Sequence, residues 1–249
     1  MERGYQKHFY KMCQKVRDPV SRQRQALKIA YALTHYTDIE LSQCVALDIG
    51  CSSGLITFFL SPLFYKTIGL EYDEDALKAV DPIIRSKVHF IQGDAVNLPL
   101  RNEAINVVIC AQVYEHVPNP EKLLSEIYRV LSPRGVVFFS GPNWLFPIEP
   151  HYSLPFLHWL PAELSNIYLR LTGQGNQYYE RMVHYWGLRR LVRRFKCQDI
   201  TIEVLQLFYI KDSIFRIIPK WVWKILLPFF PSFNFILHKP AVSNDDENL

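Results

Sequence analysis

From residue 20 to residue 143, stretches with apolar residues at helical spacing alternate with short, continuous aliphatic runs. Residues 20–36 carry apolar side chains at helical spacing with basic residues between them, which predicts an amphipathic helix. Short aliphatic runs then alternate with further stretches at helical spacing. The predicted strands are CVALDIG, TIGLEYD, VHFIQGD, INVVICAQ and GVVFFSGP, and the predicted helices are LITFFLSPLF, EDALKAVDPII and PEKLLSEIYRVLS.

This alternation predicts an α/β fold with a doubly wound, mostly parallel sheet. Five short aliphatic strands with helices between most of them require helices on both faces of the sheet. Ligands of such sheets bind outside the carboxyl ends of the strands. The functional residues are therefore expected where the strands end.

The pattern changes after Pro142. Residues 143–184 are rich in Trp, Tyr, Pro and His and show little periodicity, which indicates an insertion over the edge of the sheet. HYWGLRRLVRRFK then predicts a basic amphipathic helix and QDITIEVLQ a strand. The alternation in SFNFILHK favours a last, antiparallel strand, and NDDENL is expected to be a solvated tail.

Composition excludes several classes of protein. The net charge of +4 is too small to predict a nucleic-acid-binding face. Cysteines 13, 44, 51, 110 and 197 are scattered without CxxC spacing, which argues against a zinc site or a disulfide framework and favours a reducing compartment. The first residues contain no apolar signal-peptide core, and no uncharged apolar run reaches 18 residues. A cytoplasmic protein is expected.

The stretch LDIGCSSG, at the end of the first predicted strand, is the first candidate ligand site. Asp48, Gly50 and Gly54 lie where the strand becomes a helix, and glycines there let the backbone approach a ligand closely. Alone, the stretch fits equally well a strand–helix connection that needs a tight bend.

Two further strand ends carry acidic residues. Glu71 ends the second strand about 20 positions after the glycine turn, where a carboxylate can accept hydrogen bonds from ribose hydroxyls. It could also be a solvated member of the acidic cluster EYDED, in which Asp73 or Asp75 is placed to cap the next helix. Asp94 can bind an exocyclic amine, or it can be the first residue of an Asx-turn. ICAQVYEHVPNP, after the fourth strand, adds a third polar strand end. Three such ends in a row predict that their side chains converge on one crevice.

These stretches together resemble the class I S-adenosylmethionine-dependent methyltransferases, and most closely the small-molecule enzymes typified by those of ubiquinone and menaquinone biosynthesis. The resemblance rests on LDIGCSSG, GLEYDEDAL, GDAVNLPL and VVICAQVYEHVPNPEKLLSEIYRVLSPRGVVFFSGPN. It implies S-adenosylmethionine as cofactor and a Rossmann-like sheet of seven strands, mostly parallel, with an antiparallel last strand and an aromatic-rich insert or cap.

The resemblance also implies roles for individual residues. The turn would hold the methionine end of the cofactor, Glu71 the ribose and Asp94 the adenine edge. The cofactor-binding residues implied in this way are Asp48, Gly50, Cys51, Ser52, Gly54, Glu71, Tyr72, Asp94, Ala95, Ala111, Gln112 and His116, and no metal is implied.

Two positions depart from the family pattern. The family turn is commonly DxGCGxG, but here Ser52 stands at the middle glycine. Serine is tolerated there only if its backbone avoids the region open to glycine alone, and its hydroxyl could donate to the cofactor carboxylate. Ile105–Asn106 replaces a Phe–Asp pair before the fourth strand, which we interpret as a structural difference.

The resemblance implies one domain over residues 1–249. Within it, we expect an S-adenosylmethionine-binding core at 20–143, a substrate-side insert at 144–184, the completion of the sheet by 185–206 and 232–239, and an apolar lid or membrane-facing insert at 207–231.

The family has no universal catalytic residue, so the sequence offers candidates only. His116, at the mouth of the fourth strand, and His151, in the insert, are the first candidates for a general base. Tyr152 and His184 come after them. Each of these histidines could instead be a packed or solvent-bonded residue.

The apolar segment 207–231 indicates the kind of acceptor. Its aromatic and aliphatic residues are interrupted by lysines, which suits a helix lying on a membrane surface, a lid over an apolar pocket, or self-association. The first two alternatives favour an apolar, lipid-like or lipid-linked acceptor and O- or C-methylation. The basic run 189–196 is expected to be the solvated face of a helix.

Two other functions remain open. The chain could be a non-catalytic protein that binds S-adenosylmethionine. The departure from the family pattern at Ser52 leaves this alternative open. An NAD-dependent oxidoreductase is less favoured, because the sequence has no GxGxxG and carries the stretches around Asp94 and His116.

Overall fold

A computed structural model describes residues 10, 17–208 and 219–240. The helices are α1 (Pro19–Tyr36), α2 (Leu55–Leu60), α3 (Glu74–Lys78), α4 (Pro82–Arg85), α5 (Pro120–Val130), α6 (Ala162–Leu171), α7 (Tyr185–Leu191), α8 (Thr201–Phe208) and α9 (Lys220–Leu226). The strands are β1 (Val45–Ile49), β2 (Lys66–Glu71), β3 (His89–Gln92), β4 (Ile105–Ala111), β5 (Leu131–Pro142), β6 (Ile148–Glu149), β7 (Leu154–Pro155), β8 (Lys196–Asp199) and β9 (Ser232–His238).

Seven strands form the main sheet in the order β3-β2-β1-β4-β5-β9-β8. The strands from β3 to β5 are parallel, and β9 runs antiparallel to both β5 and β8. The chain reverses its direction of winding between β1 and β4, so a crevice opens at their carboxyl ends. The predicted seven-stranded α/β fold with an antiparallel last strand is confirmed.

Neighbouring residues of each strand face opposite layers of the core, as the two-residue period of a strand requires. In β1, Ala46 packs into the layer that contains α1, α2 and α8, whereas Leu47 packs into the layer that contains α5 and α7. Both residues are fully buried. The aliphatic runs of the central strands therefore reflect burial on both faces.

The strand predicted over QDITIEVLQ is wrong beyond Asp199, because Thr201–Phe208 form the helix α8. Asp199 accepts a hydrogen bond from the backbone N–H of Thr201, and Ile200, Val204 and Phe208 recur at helical spacing against α1. The β-branched residues suggest a strand, but this four-residue spacing buries an apolar stripe only in a helix.

EDALKAVDPII forms two short helices, α3 and α4, where the sequence predicts one. Asp81 caps α4 by accepting from the N–H of Ile83, and Pro82 occupies its first position. Proline has no N–H to continue a preceding helix, so the chain begins a new one. Asp73 caps α3 through the N–H of Asp75, as predicted, although it is buried rather than solvated.

The insert at 144–184 has a small core of its own. The hairpin of β6 and β7 and the helix α6 enclose Leu154, Leu157 and Leu169, with three tyrosines around them. The side chain of Asn143, just before the insert, donates to the carbonyls of Pro228 and Phe230. This buried amide fixes the chain before β9 against the end of β5. The proposed division of residues 1–249 into regions stays a prediction.

The segment 207–231 is only partly described, because residues 209–218 lie outside the described residues, as does the predicted tail NDDENL. Within α9, Trp223 packs against Leu227 and Phe230, whereas Trp221 and Ile225 are 64% and 63% exposed. No helix in the described part of the chain has the length and apolarity needed to cross a bilayer.

We predict that Gly54→Ala destabilises the protein more than Gly173→Ala. Both glycines have positive φ angles, +77° and +67°, but a Cβ on Gly54 would lie 2.4 Å from Phe90, whereas none of the described atoms lies within 4 Å of a Cβ on Gly173. We expect the free energy of unfolding to fall by about 3 kcal/mol for Gly54→Ala and about 1 kcal/mol for Gly173→Ala. Equal losses in urea denaturation would contradict a packing role for Gly54.

Candidate active site

A cavity of about 620 Å³ opens at the carboxyl ends of β1 to β4, a size typical of small-molecule sites. Its walls also include residues from α1, α8, the insert and the chain before β9. The predicted site residues that line it are Asp48, Gly50, Cys51, Ser52, Glu71, Tyr72, Asp94, Ala95, Ala111, Gln112, His116 and His151. The fold therefore brings residues that are far apart in the sequence to one place.

Three residues of the turn after β1 have positive φ angles: +71° at Gly50, +52° at Ser52 and +77° at Gly54. The angle at Ser52 lies in the left-handed helical region, which a non-glycine residue can occupy at a cost of about 1–2 kcal/mol. Serine therefore fits the middle position, with some strain. A Cβ on Gly50 would lie 2.9 Å from Val113, so that glycine is required by packing as well.

Gly54 is a predicted site residue that does not line the cavity. It is the N-cap of α2 and lies against the ring of Phe90 in β3. Its lack of a side chain lets the helix approach the sheet closely. Its role is to hold α2 in place.

Glu71 ties this turn to the end of β2. Its carboxylate accepts from the backbone N–H groups of Ser52 at 2.7 Å, Tyr72 at 2.7 Å and Asp73 at 2.9 Å. Burial raises the pKa of Glu71 even though these three hydrogen bonds act to lower it. Glu71 is thus a fixed carboxylate in the cavity wall, not a solvated member of the acidic cluster.

The hydroxyl of Ser52 is buried and has no hydrogen-bond partner among the residues that the structure describes. A buried hydroxyl in a native protein is normally paired, and a lone one beside a cavity indicates a partner that binds there. This is the hydroxyl that the sequence predicts as a donor to a ligand.

Asp48 is almost completely buried at the end of β1. Its carboxylate accepts a hydrogen bond from the hydroxyl of Thr57 at 2.5 Å. Burial raises the pKa of Asp48 from its usual 3.8 to about 7, and the charge of Glu71 adds to the rise, although the bond to Thr57 opposes it. A cationic ligand group beside Asp48 would favour its ionised form.

The position of Asp94 is compatible with both interpretations made from the sequence. Its side chain accepts from the N–H of Val96 at 3.1 Å, which is an Asx-turn, and it also lines the cavity. The turn holds the carboxylate at the edge of the cavity.

His116 and His151 meet at one side of the cavity, with ring centroids 5.0 Å apart. Nδ1 of His151 bonds to the buried carboxylate of Glu149 at 2.7 Å. Burial and the charge of His151 lower the pKa of His116 to about 3. Burial acts to lower the pKa of His151, but its bond to Glu149 and the nearby carboxylates outweigh this, so its pKa is raised.

Two further candidates lie outside the cavity wall. Tyr152 packs in the small core of the insert, and its N–H donates to Glu149. Nδ1 of His184 accepts from the N–H of Gly187, so this residue caps α7. Both residues therefore make contacts that stabilise the fold.

Sequence reasoning missed Arg22, Gln25 and Lys28, which α1 contributes to the cavity wall. Lys28 is only 4% exposed. Burial, together with the charge of Arg22, lowers its pKa to about 8. The available signal was helical spacing. Three residues separate each of these positions from the next, and four separate Lys28 from the buried Ala32.

Residues 47–139 match the protein-family model described as "Methyltransferase domain". An uncharacterised methyltransferase of Mycobacterium leprae is 30% identical over 131 residues, which cover 52% of this chain and 48% of that protein. Residues 47–139 are therefore similar to methyltransferase domains, as the resemblance seen in the sequence implies. The predictions of the family and of S-adenosylmethionine as cofactor are confirmed.

Two solved structures share the fold of this methyltransferase domain and of the elements around it. One is a protein proposed to be a methyltransferase, solved in complex with the Haloferax volcanii Trm112 methyltransferase activator; its TM-score is 0.58 at 15% identity, covering 92% of this chain and 95% of that one. The other, proposed to be a sarcosine dimethylglycine methyltransferase of Galdieria sulphuraria, also has a TM-score of 0.58 at 15% identity and covers 91% of both chains.

The chain spans about half the length of the curated relatives that it matches. Residues 47–139 include most of β1, all of β2 to β4 and most of β5, but not α1, the insert, α8 or β9. The residues matched by the family model therefore form the part of the cavity wall at the carboxyl ends of β1 to β4. The rest of the wall belongs to the part of the chain that the family model does not match.

We predict that Asp48→Asn stabilises the protein increasingly as the pH rises from 4 to 7. The pKa of Asp48 is about 7 in the folded state against 3.8 ordinarily, so a rising pH removes its proton first from the unfolded state and lowers the stability of the wild type. Asparagine has no such proton. The advantage of the variant should approach a few kcal/mol, roughly 1.4 kcal/mol per pKa unit, above pH 7.

The measurement is urea denaturation of the wild type, Asp48→Asn and, as a control, Asp38→Asn at several pH values. Asp38 is exposed, so its variant tests whether the removal of any carboxyl group gives the same advantage. An Asp48→Asn advantage that stays constant from pH 4 to pH 8 would show that Asp48 ionises normally.

Proposed function

We propose that the protein transfers the methyl group of S-adenosylmethionine to a small-molecule acceptor that is apolar or lipid-like. The observation that carries this proposal is the convergence of Asp48, Ser52, Glu71, Asp94 and His116 on one cavity of a methyltransferase domain. O- or C-methylation is favoured over other outcomes, as the sequence suggests.

The residues present fit the cofactor. Glu71 is held by three N–H groups, and its remaining acceptor capacity suits the two ribose hydroxyls. The lone hydroxyl of Ser52 can donate to the cofactor carboxylate, and the buried Asp48 can accept from the ammonium group at the same end. Asp94 and Ala95 would contact the adenine edge, and Tyr72 would pack on the ring.

The acceptor would occupy the part of the cavity next to β5, β9, α1 and α8. Val204, Leu205 and Phe230 supply apolar surface there, and Arg22 and Lys28 supply positive charge. The wall therefore suits an acceptor with a large apolar portion and one polar or anionic group. The insert closes this side with Pro150 and His151.

Bound S-adenosylmethionine supplies a methyl group on a sulfonium, which is already a strong electrophile. The chain therefore needs mainly to align the acceptor and exclude water. His116 and His151 are the proposed catalytic candidates, because both line this cavity and Glu149 fixes the orientation of the His151 ring. An oxygen or carbon acceptor also gives up a proton when the new bond forms.

We predict that Glu71→Gln weakens S-adenosylhomocysteine binding at least tenfold, because charge-assisted hydrogen bonds contribute about 1.5–3 kcal/mol. Glu74→Gln is the matched control, since Glu74 belongs to the same acidic cluster but is exposed and pairs with Lys78. Isothermal titration calorimetry of the wild type and both variants measures the effect. Equal affinities for all three would contradict the proposed role of Glu71.

The same titration separates the alternative functions. Binding of NAD without binding of S-adenosylhomocysteine would support the oxidoreductase and overturn the methyltransferase. Tight binding of S-adenosylhomocysteine without methyl transfer to any acceptor would support the non-catalytic alternative.

The segment 219–231 fits both a lid and a membrane contact. Phe230 lines the cavity, whereas Trp221, Ile225 and Phe229 are exposed on the outside of the same segment. Exposed Trp and aliphatic residues interspersed with lysine are typical of an interfacial helix. We propose that this outer surface contacts the membrane in which a lipid-like acceptor is dissolved.

We predict that methyl-labelled S-adenosylmethionine places its label in the organic phase of a cell lipid extract presented as vesicles. Trp221→Gln/Ile225→Gln should transfer less label from vesicles but keep the wild-type rate on the same extract dispersed in detergent. Label confined to water-soluble products would contradict a lipid-like acceptor. An equal rate of both proteins on vesicles would contradict the membrane contact.

A further inference from the structure

Glu115, His116 and His151 bring three potential metal ligands together at the acceptor side of the cavity. One ligand atom from each residue lies within 4.8 Å of the other two. Two ligands of one Zn²⁺ ion, bound at about 2.1 Å each, are about 3.4 Å apart in a tetrahedral site. The rings therefore need to move by about an ångström to close on an ion.

Glu115 is the strongest sign that a cation belongs there. Its side chain is completely buried, and neither carboxylate oxygen has a hydrogen-bond partner among the described residues. The nearest basic atom recorded for it is Nε2 of His116, at 3.8 Å, which is beyond hydrogen-bond distance. Buried carboxylates are normally hydrogen-bonded, ion-paired or coordinated to a metal.

Glu149 contacts His151, one of the three potential ligands. It is also completely buried, and it bonds to Nδ1 of His151, which directs the lone pair of Nε2 away from Glu149. A carboxylate that orients a histidine in this way is the usual outer partner of a metal-bound histidine.

From these contacts we propose that Glu115, His116 and His151 bind a divalent transition-metal ion, with Zn²⁺ as the best fit. Two imidazoles and one carboxylate form a three-ligand set of the kind that leaves a fourth position open. His116 and His151 line the cavity, so the fourth position faces it. This site differs from the sequence prediction of no metal, which rested on the scattered cysteines.

The open position gives the ion a role that rests on the proposed function. An acceptor with a hydroxyl or carboxylate oxygen could take the fourth position and be oriented by the ion for methyl transfer. In that case, the two histidines act as ligands and not as proton acceptors. The acceptor that we propose is then one whose polar end carries an oxygen atom that can bind the ion.

The experiment is a titration of tag-free, chelator-treated protein with Zn²⁺ in the absence of acceptor, followed by calorimetry. The wild type should bind one ion, and Co²⁺ in its place should give the visible absorption of a tetrahedral site. Glu115→Gln and His151→Gln should each lower the affinity at least about 100-fold. Glu149→Gln should lower it about 10–100-fold, the usual effect of losing an outer partner.

His158→Gln is the matched control, because His158 belongs to the same insert but bonds to the carbonyl of Trp144. It should bind Zn²⁺ as the wild type does. If Glu115→Gln binds Zn²⁺ as tightly as the wild type, or if Mg²⁺ binds more tightly than Zn²⁺, the proposal is wrong.

S-adenosylhomocysteine affinity and the thermal unfolding of each variant separate this proposal from the proposed function. Glu115→Gln is nearly isosteric and removes a buried carboxyl, so it should keep the S-adenosylhomocysteine affinity and unfold at a temperature no lower than the wild type while losing the metal. Zinc binding without S-adenosylhomocysteine binding would support the metal site and overturn the methyltransferase. The reverse result would overturn the metal site alone.

Discussion

Three backbone N–H groups hold the carboxylate of Glu71, and the shape of the cavity depends on these hydrogen bonds. They connect the turn after β1 with the end of β2, so two neighbouring strands present a single wall. The left-handed angle at Ser52 is held by the same contact, because its N–H is one of the three donors. Local strain of this kind persists only where surrounding contacts over-determine it.

Buried negative charge is the second constraint on the site. Asp48, Glu115 and Glu149 are almost or completely removed from solvent, and burial raises the pKa of Asp48 and Glu115 to about 7. Such groups destabilise the protein in the absence of partners, and any ligand that supplies positive charge stabilises it. The cavity is therefore expected to favour binding over stability, as functional sites commonly do.

The sequence is sufficient to place the residues at the ends of β1 to β3 in one cavity, but not those that α1 contributes to its wall. Asp48, Glu71 and Asp94 could be predicted to lie together because each lies at or just beyond the end of a strand, and parallel strands end at one edge. Helical spacing places Lys28 on the same face of α1 as the buried Ala32, but the burial of Lys28 and of Glu115 could not be predicted, since it depends on contacts between segments distant in sequence. Thr201–Phe208 was predicted as a strand because β-branched residues outweighed a helical spacing that only packing against α1 makes decisive.

The position of β9 has a consequence for how the chain folds as it is synthesised. This strand lies between β5 and β8, although it is the last strand of the sheet in chain order. Until it emerges from the ribosome, the edge of β5 has no partner on that side, and β8 has no strand to pair with. An unpaired, aliphatic edge is prone to wrong association, so the nascent protein should need a chaperone most until β9 has emerged and paired with β5 and β8.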